Sequence, residues 1–151
     1  MKALVQRVSQ AWVTSAADRD QPAVETGRIG LGMAVLVGVT HDDTVAQADR
    51  LADKLVNLRV FADEAGGMNL SCRDTAGAML VVSQFTLYAD TRKGRRPSFV
   101  DAASPEVAEP LIERLVESIR RAGVEVATGR FRTHMQVGLV NDGPVTVMLE
   151  V

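Results

Sequence analysis

The pattern of hydrophobic and polar positions changes its period several times along the chain, and each change predicts a separate element. Lys2–Val8 alternates apolar and polar residues, which is typical of a half-buried strand. Gly32–Thr40 is rich in valine and predicts a strand buried on both faces. Ala16–Gly30 lies between them and is polar and glycine-bearing, so we expect a connection there. Ala78–Ser83 is predicted to be a third apolar strand.

Two stretches predict helices, and the first repeats its apolar residues at steps of three and four, which is typical of an amphipathic helix. The apolar positions of the first stretch are Val45, Ala48, Leu51, Leu55 and Leu58. Asp42 and Asp43 precede it and are placed to cap the helix. The second stretch opens at Ser104-Pro105-Glu106 and ends before Gly123, and we expect Pro110 to kink or delay that helix.

The C-terminal part predicts three further strands: Val124–Ala127, Met135–Val140 and Val145–Glu150. The last two are predicted to be joined by Asn141-Asp142-Gly143-Pro144, whose residue types are those of turns. Six strands and two helices in this order predict an α+β fold. We expect one domain over 1–151, with a curved, largely antiparallel sheet or partial barrel and two main helices packed outside.

Composition narrows the classes of function. The 151 residues are 46% hydrophobic and carry a formal net charge of -2, so the chain can bury one core and is no polycation. Any contact with nucleic acid is therefore expected to be local. Cys72 is the single cysteine, which excludes an internal disulfide and favours a reducing cytoplasm. We expect no signal peptide and no membrane span.

The segment Ser83-Gln84-Phe85-Thr86-Leu87-Tyr88 directly follows an apolar strand and presents hydroxyls, an amide and backbone N–H groups. It is either a site at the end of a sheet strand or a strand that simply continues with alternating side chains. His41 and His134 are far apart in sequence and lack ligand-type spacing, so we predict no metal site. Neither histidine nor Cys72 is identified as a catalyst.

A second segment, Thr91–Pro97, concentrates positive charge in a loop that contains glycine and proline. Its basic residues are Arg92, Lys93, Arg95 and Arg96. In an otherwise acidic protein such a loop is either a contact for phosphate or a solvated surface loop, and the residue types alone leave both open.

Three segments together resemble a known family. Ser83–Leu87 (SQFTL), Lys93–Phe99 (KGRRPSF) and Asn141–Thr146 (NDGPVT) are similar, in this order, to motifs of the D-aminoacyl-tRNA deacylases, and the resemblance runs over the whole chain. One departure lies at Phe131-Arg132-Thr133-His134-Met135, where the family leads us to expect a smaller glycine-alanine pair after the phenylalanine.

The resemblance implies a homodimer that hydrolyses the ester between a D-amino acid and the 3′ end of tRNA, without metal or organic cofactor. Its active site would lie at the subunit interface, where Gly143 and Pro144 of one subunit, joined by a cis bond, direct two carbonyls at the substrate's α-amino group. An L side chain would then collide with the motif, whereas glycine would not be rejected. Arg7 would hold the motif across the interface.

The same resemblance implies the roles of the first segment. Ser83, Gln84, Phe85 and Thr86 would form the catalytic part, with backbone N–H groups around Phe85 and Thr86 stabilising the oxyanion. Because no histidine is predicted beside Thr86, we favour direct attack by water, with the 2′-hydroxyl of the tRNA assisting, over a Thr86 nucleophile. Met135 is expected to bind substrate, and Arg92, Lys93, Arg95 and Arg96 to bind tRNA.

Two rival functions remain open on the sequence. One is a non-catalytic tRNA-binding module in which the Gly-Pro turn is only structural. The other is a hydrolase of free D-amino-acid esters, for which the basic loop Thr91–Pro97 would be irrelevant.

Overall fold

The computed structural model describes all 151 residues and contains eight β-strands, two α-helices and one 3-10 helix. The strands β1 to β8 are Lys2–Ala16, Val24–Ile29, Gly32–Gly38, Phe61–Ala62, Met68–Leu70, Ala78–Ser83, Glu125–Thr128 and His134–Glu150. The helices are α1 (Val45–Val56) and α2 (Pro105–Arg121), and the 3-10 helix is Phe85–Tyr88. None of the helices combines the length and hydropathy needed to cross a membrane.

Six strands form one sheet in the order β2-β1-β3-β6-β7, and β8 pairs with β1 as well. All pairings of β1 are antiparallel, whereas β3-β6 and β6-β7 are parallel, so the sheet is mixed. Gly27 of β2 lies against the backbone of Thr128 in β7, which brings the two ends of the sheet together. The predicted α+β fold with a partial barrel is confirmed, and β4-β5 form a small separate hairpin.

The main core lies between the sheet and the two helices and contains 23 buried residues. Leu51 and Leu55 of α1 are fully buried, as the apolar period predicts, and Leu115 and Ile119 of α2 are fully buried as well. Each side chain of this size contributes about 1.5 to 3 kcal/mol when it leaves water. A second core of seven residues, which includes Val13 and Leu80, fills the other face of the sheet.

Three strand predictions are wrong in their bounds. The first strand continues from Val8 to Ala16, because the exposed pair Ser9-Gln10 only interrupts its alternation. Val24–Ile29, predicted as a connection, is a strand in which only Ile29 is buried, so no alternation of apolar and polar residues marked it. The last two predicted strands are one, since β8 runs through Asn141–Pro144 without reversing direction.

Two details of the helix predictions are also wrong. Thr44 caps α1 in a capping box with Gln47, while Asp43 is buried and accepts hydrogen bonds from the Met1 ammonium and from the backbone of Thr40. Pro110 does not delay α2, which begins at Pro105 as the first-turn preference of proline predicts.

The two helices are linked by one bidentate ion pair, and we predict its dependence on pH. Arg114 donates to both carboxylate oxygens of Asp49 at 2.7 and 2.8 Å, and the Ser118 hydroxyl donates at 2.8 Å. Hydrogen bonds from Arg114, then from Ser118, lower the Asp49 pKa from 3.8 to about 2. Because the folded pKa is depressed, the stabilisation is full above pH 3.8 and is lost as the pH falls through about 2.

Asp49→Asn is therefore expected to lower the free energy of unfolding at neutral pH, and the difference from the wild type should shrink toward pH 2. Urea unfolding at a series of pH values measures this difference. Glu113→Gln removes an exposed carboxylate from α2 and serves as the control, with little effect expected at any pH. A deficit of Asp49→Asn that persists unchanged at pH 2 would contradict the assignment.

Candidate active site

A cavity of about 560 Å³ opens between the end of β6, the first turns of α2 and the start of β8. Its lining is mostly apolar and includes Phe85, Phe99 and Phe131. Phe85 and Phe99 pack edge to face, with ring centroids 5.1 Å apart. Aromatic side chains around an apolar hollow of this size suit a flat ring system such as a nucleobase.

The segment Ser83–Phe85 enters this cavity because the chain turns sharply at the end of β6, and Thr86 lies just outside its lining. The backbone N–H of Gln84 donates to the carbonyl of Val37 on β3 at 2.7 Å, and the 3-10 helix begins one residue later. Gly38 permits the close approach of this turn, since a methyl group there would lie 3.1 Å from the Tyr88 ring. The segment is thus a turn at the sheet edge, and the alternative of a continuing strand is wrong.

The 3-10 helix leaves backbone donors available. Its first hydrogen bond runs from the N–H of Leu87 to the carbonyl of Gln84, so the N–H groups of Phe85 and Thr86 precede the helical ladder. Ser83, Gln84 and Phe85 line the cavity. Thr86 is half-buried, and its hydroxyl accepts a hydrogen bond from the side-chain amide of Gln84.

No base contacts Thr86. The imidazole of His41 instead donates to the backbone carbonyl of Val100 at 2.7 Å, and His134 begins β8 opposite Ala16. Cys72 is fully buried, and this burial raises its thiol pKa to about 11, which disfavours the reactive thiolate. The chain has no group of three or more His, Cys, Asp or Glu side chains arranged to hold a metal ion.

The departure noted in the sequence forms one wall of the cavity. Phe131, Arg132, Thr133 and Met135 all belong to the lining, and Arg132 is its single charged residue. The backbone of Arg132 has φ of 57°, a left-handed conformation that favours glycine. The position therefore suits the small residue that the resemblance leads us to expect, although the chain carries arginine there.

The Gly-Pro motif forms an exposed tip on β8, composed of Asp142, Gly143 and Pro144. The Asn141 side chain closes the base of this tip: its carbonyl accepts from the Val145 N–H at 2.8 Å and its amide donates to the Thr146 hydroxyl at 2.9 Å. The Gly143-Pro144 peptide bond is cis, as the resemblance implies, and Gly143 has φ of 134°. These contacts explain why asparagine and threonine flank the tip.

Arg7 lies behind the tip of its own chain. Its Nε donates to the Asp142 carbonyl at 3.0 Å, and its Nη1 donates to the Val60 carbonyl at 2.6 Å. The pairing of β1 with β8 is irregular at this point, between Gln6 and Val8, which frees the tip from the ladder. The side chain is only 15% exposed and contacts the tip of its own chain, whereas the resemblance implies a contact across the interface.

The predicted site residues therefore fall into two groups on one chain. Met135 and Asn141, the residue at the base of the tip, are six residues apart on the paired part of β8, a separation of about 20 Å along an extended strand. The tip is absent from the lining of the cavity. Asn141, Val60 and Phe99, which support or extend the two groups, were not predicted as site residues. Asn141 and Phe99 belong to the segments that carry the resemblance, whereas nothing in the sequence pointed to Val60.

The basic loop lies outside the cavity. An isolated bridge between Asp90 and Ser98 closes it, and its residues are exposed. Arg92 donates to both carboxylate oxygens of Asp90 at 2.9 and 2.8 Å, whereas Lys93, Arg95 and Arg96 project into solvent. Three of the four predicted basic residues are thus available to an anion.

Comparison with known proteins gives a consistent assignment. Residues 4–150 match the family model described as D-Tyr-tRNA(Tyr) deacylase. A D-aminoacyl-tRNA deacylase of Symbiobacterium thermophilum is 54% identical over 150 residues, which cover 99% of this chain and 95% of the relative. A D-aminoacyl-tRNA deacylase of a Roseiflexus species is 55% identical, with 99% and 93% covered.

Two solved structures share the fold. One is described as a c-Myc DNA unwinding element binding protein; it has a TM-score of 0.89 and 38% identity and covers 100% of this chain and 99% of its own. The other is described as a probable eukaryotic D-amino acid tRNA deacylase, with a TM-score of 0.82, 17% identity and coverage of 99% and 98%. At that identity the second likeness shows the fold alone.

The tip offers a direct test of how its shape is maintained. A methyl group added at Gly143 would lie 2.8 Å from Cγ2 of Val145 and 3.0 Å from Nη2 of Arg7. Gly143→Ala is therefore expected to lower the free energy of unfolding by about 1 to 3 kcal/mol, as measured by chemical denaturation. Gly30→Ala is the control, because nothing lies within 4 Å of the added methyl group there. Equal stabilities of the two variants would contradict the assigned packing.

Proposed function

The chain belongs to the D-Tyr-tRNA(Tyr) deacylase family, and we propose that it hydrolyses the ester that links a D-amino acid to the 3′ end of tRNA. The observation that carries the proposal is the apolar cavity bordered by Ser83–Phe85 and their backbone donors. The cavity receives the terminal nucleoside, whose base packs among the aromatic side chains. A protein that acts on tRNA meets its substrate in the cytoplasm, where we place it.

We propose that the active site is completed by a second copy of the chain. The tip of one chain does not line the cavity of the same chain, and the paired part of β8 holds the base of the tip about 20 Å from Met135. β8 pairs only with β1, so its other edge is open, and Val137 and Val140 are partly exposed on it. Two β8 strands aligned antiparallel about a two-fold axis near Leu139 and Val140 bring each tip to the partner's cavity.

Chiral selection follows from this arrangement. The carbonyls of Gly143 and Pro144 hold the substrate ammonium, and a fixed ammonium determines where the other groups on the α-carbon point. A D side chain then leaves the site, whereas an L side chain collides with the tip. Arg7 and Asn141 hold the tip from behind, which gives the backbone the rigidity that a steric filter requires.

The chemistry that fits these residues is attack by water on the ester carbonyl. The N–H groups of Phe85 and Thr86 stabilise the oxyanion, a contribution of about 3 to 4 kcal/mol per donor in comparable sites. The 2′-hydroxyl of the terminal adenosine orients or activates the water. No side-chain base contacts Thr86, which disfavours an acyl-enzyme intermediate on its hydroxyl.

A second candidate is a nucleic-acid-binding module without turnover. The exposed basic residues Lys93, Arg95 and Arg96 favour it, and a solved structure with 38% identity is described as a DNA-binding protein. Both candidates require that the chain binds tRNA. They differ in whether the ester is cleaved.

The decisive experiment measures release of amino acid from tRNA charged with D-tyrosine, L-tyrosine or glycine, with purified protein treated with chelator. We expect the D ester to be cleaved at least about a hundredfold faster than the L ester, because only the L side chain meets the tip. Glycyl-tRNA should also be cleaved, since glycine has no side chain to collide. Binding of all three without cleavage would favour the non-catalytic module.

The role of the Thr86 hydroxyl is tested separately. Thr86→Ala is expected to retain deacylation of D-tyrosyl-tRNA within about tenfold, because water attack needs the backbone N–H rather than the hydroxyl. Single-turnover kinetics measure the chemical step, and thermal unfolding checks that the variant is folded. A loss of about a thousandfold or more in a folded variant would instead identify Thr86 as the nucleophile.

A further inference from the structure

Arg132 is a residue that the fold does not explain. Its left-handed backbone costs free energy for any residue with a Cβ, and its side chain is 66% exposed. Its one ionic contact in the chain is with Glu106 in the first turn of α2, where Nη1 and Oε1 are 4.0 Å apart. A pair this long between two exposed groups contributes little to stability. The structure therefore gains little from the arginine.

The position of Arg132 gives it access to whatever fills the cavity. It is the one charged residue among the 17 that line the hollow, and Phe131 and Thr133 beside it belong to the same wall. A nucleoside whose base lies among the aromatic side chains leaves its 5′ phosphate outside the apolar part. The Arg132 guanidinium at the margin of the cavity is the one positive charge in the lining that can meet this phosphate.

We propose that Arg132 binds a backbone phosphate of the tRNA 3′ end when the terminal nucleoside occupies the cavity. This inference rests on the proposed function. The planar fork of donors on arginine fits two phosphate oxygens at once and gains more from a phosphate than from a distant carboxylate. Glu106 then competes with the phosphate for Arg132, and the ion pair between the two residues breaks when the RNA binds.

Glu106 does not need Arg132 to remain ionised. Hydrogen bonding from its own backbone N–H, then from Ser104, lowers the pKa of Glu106, and the charge of Arg132 is the smallest favourable influence. Moving the guanidinium to a phosphate therefore leaves a solvated carboxylate at the start of a helix, where negative charge is favoured. The exchange of partners costs little on the protein side.

The alternative is that Arg132 serves only to hold the first turn of α2 through Glu106. The two accounts predict different effects of removing the Glu106 carboxylate. Removing the carboxylate frees Arg132 and strengthens RNA binding if Arg132 contacts phosphate. The same change weakens the protein as much as loss of the arginine does if the ion pair is structural.

The experiment compares Arg132→Gly, Arg132→Lys and Glu106→Gln with the wild type. Glycine accepts the left-handed backbone, so Arg132→Gly removes the charge without a folding penalty. Affinity is measured with uncharged tRNA and with tRNA that lacks its 3′-terminal CCA, at several salt concentrations. Kinetics are measured with D-tyrosyl-tRNA. Arg130→Ala is the control, because Arg130 is a neighbouring exposed arginine that does not line the cavity.

We expect Arg132→Gly to bind intact tRNA about tenfold more weakly and to raise KM similarly with little change in kcat. The slope of log affinity against log salt should fall in magnitude by about 0.7, the value for one phosphate of a single strand. The effect should vanish with tRNA that lacks CCA. Arg132→Lys should recover part of the affinity, and Glu106→Gln should bind slightly more tightly than the wild type.

Unchanged affinity and salt slope in Arg132→Gly would overturn the proposal, as would an equal effect on truncated tRNA. Thermal unfolding of the variants measures stability. Equal losses of stability in Arg132→Gly and Glu106→Gln would show that the Arg132–Glu106 ion pair is structural. A wild type that binds tRNA without cleaving the D ester would contradict the proposed function, while the binding comparison would still decide the role of Arg132.

Discussion

The pairing of β1 with β8 is the constraint on which the rest of the molecule depends. The two strands run antiparallel over almost their whole length, from Lys2 opposite Glu150 to Ala16 opposite His134. Each of the two regions of interest lies on this ribbon, the cavity wall at one end and the tip near the middle. Because a paired strand is stiff, the distance between them is fixed by the count of residues, and neither can move toward the other without breaking the ladder.

The cavity and the tip place different demands on the same ribbon. The cavity needs a continuous apolar surface. The first residues of β8 supply part of it through Met135 and Val137. The tip needs an interruption, which the irregular pairing around Arg7 supplies. Asn141 satisfies the backbone where the ladder is lost. Local hydrogen bonding thus replaces sheet pairing over a few residues, and pairing with β1 begins again at Thr146 in a shifted register.

The sequence predicted what local rules govern and failed where long-range pairing decides. The helices followed from their apolar period, although Thr44 rather than an aspartate caps the first, because the buried Asp43 has a stronger partner in the Met1 ammonium. β2 was missed because only one of its residues, Ile29, is buried, and β8 was divided because a glycine-proline pair usually ends a strand. The site residues came from the resemblance, whereas the contact of Arg7 with Val60 needed the fold.

Both parts of the proposed site use main-chain atoms: the N–H groups of Phe85 and Thr86, and the carbonyls of the tip. This affects how the protein tolerates mutation. Main-chain atoms are present whatever the side chain, so most point mutations in these segments leave the proposed reacting groups in place. Selection then acts on shape: on glycines, on bulges and on the packing behind them. Such a site loses its activity through distortion of the chain, and it can accept new side chains around an unaltered chemical centre during divergence.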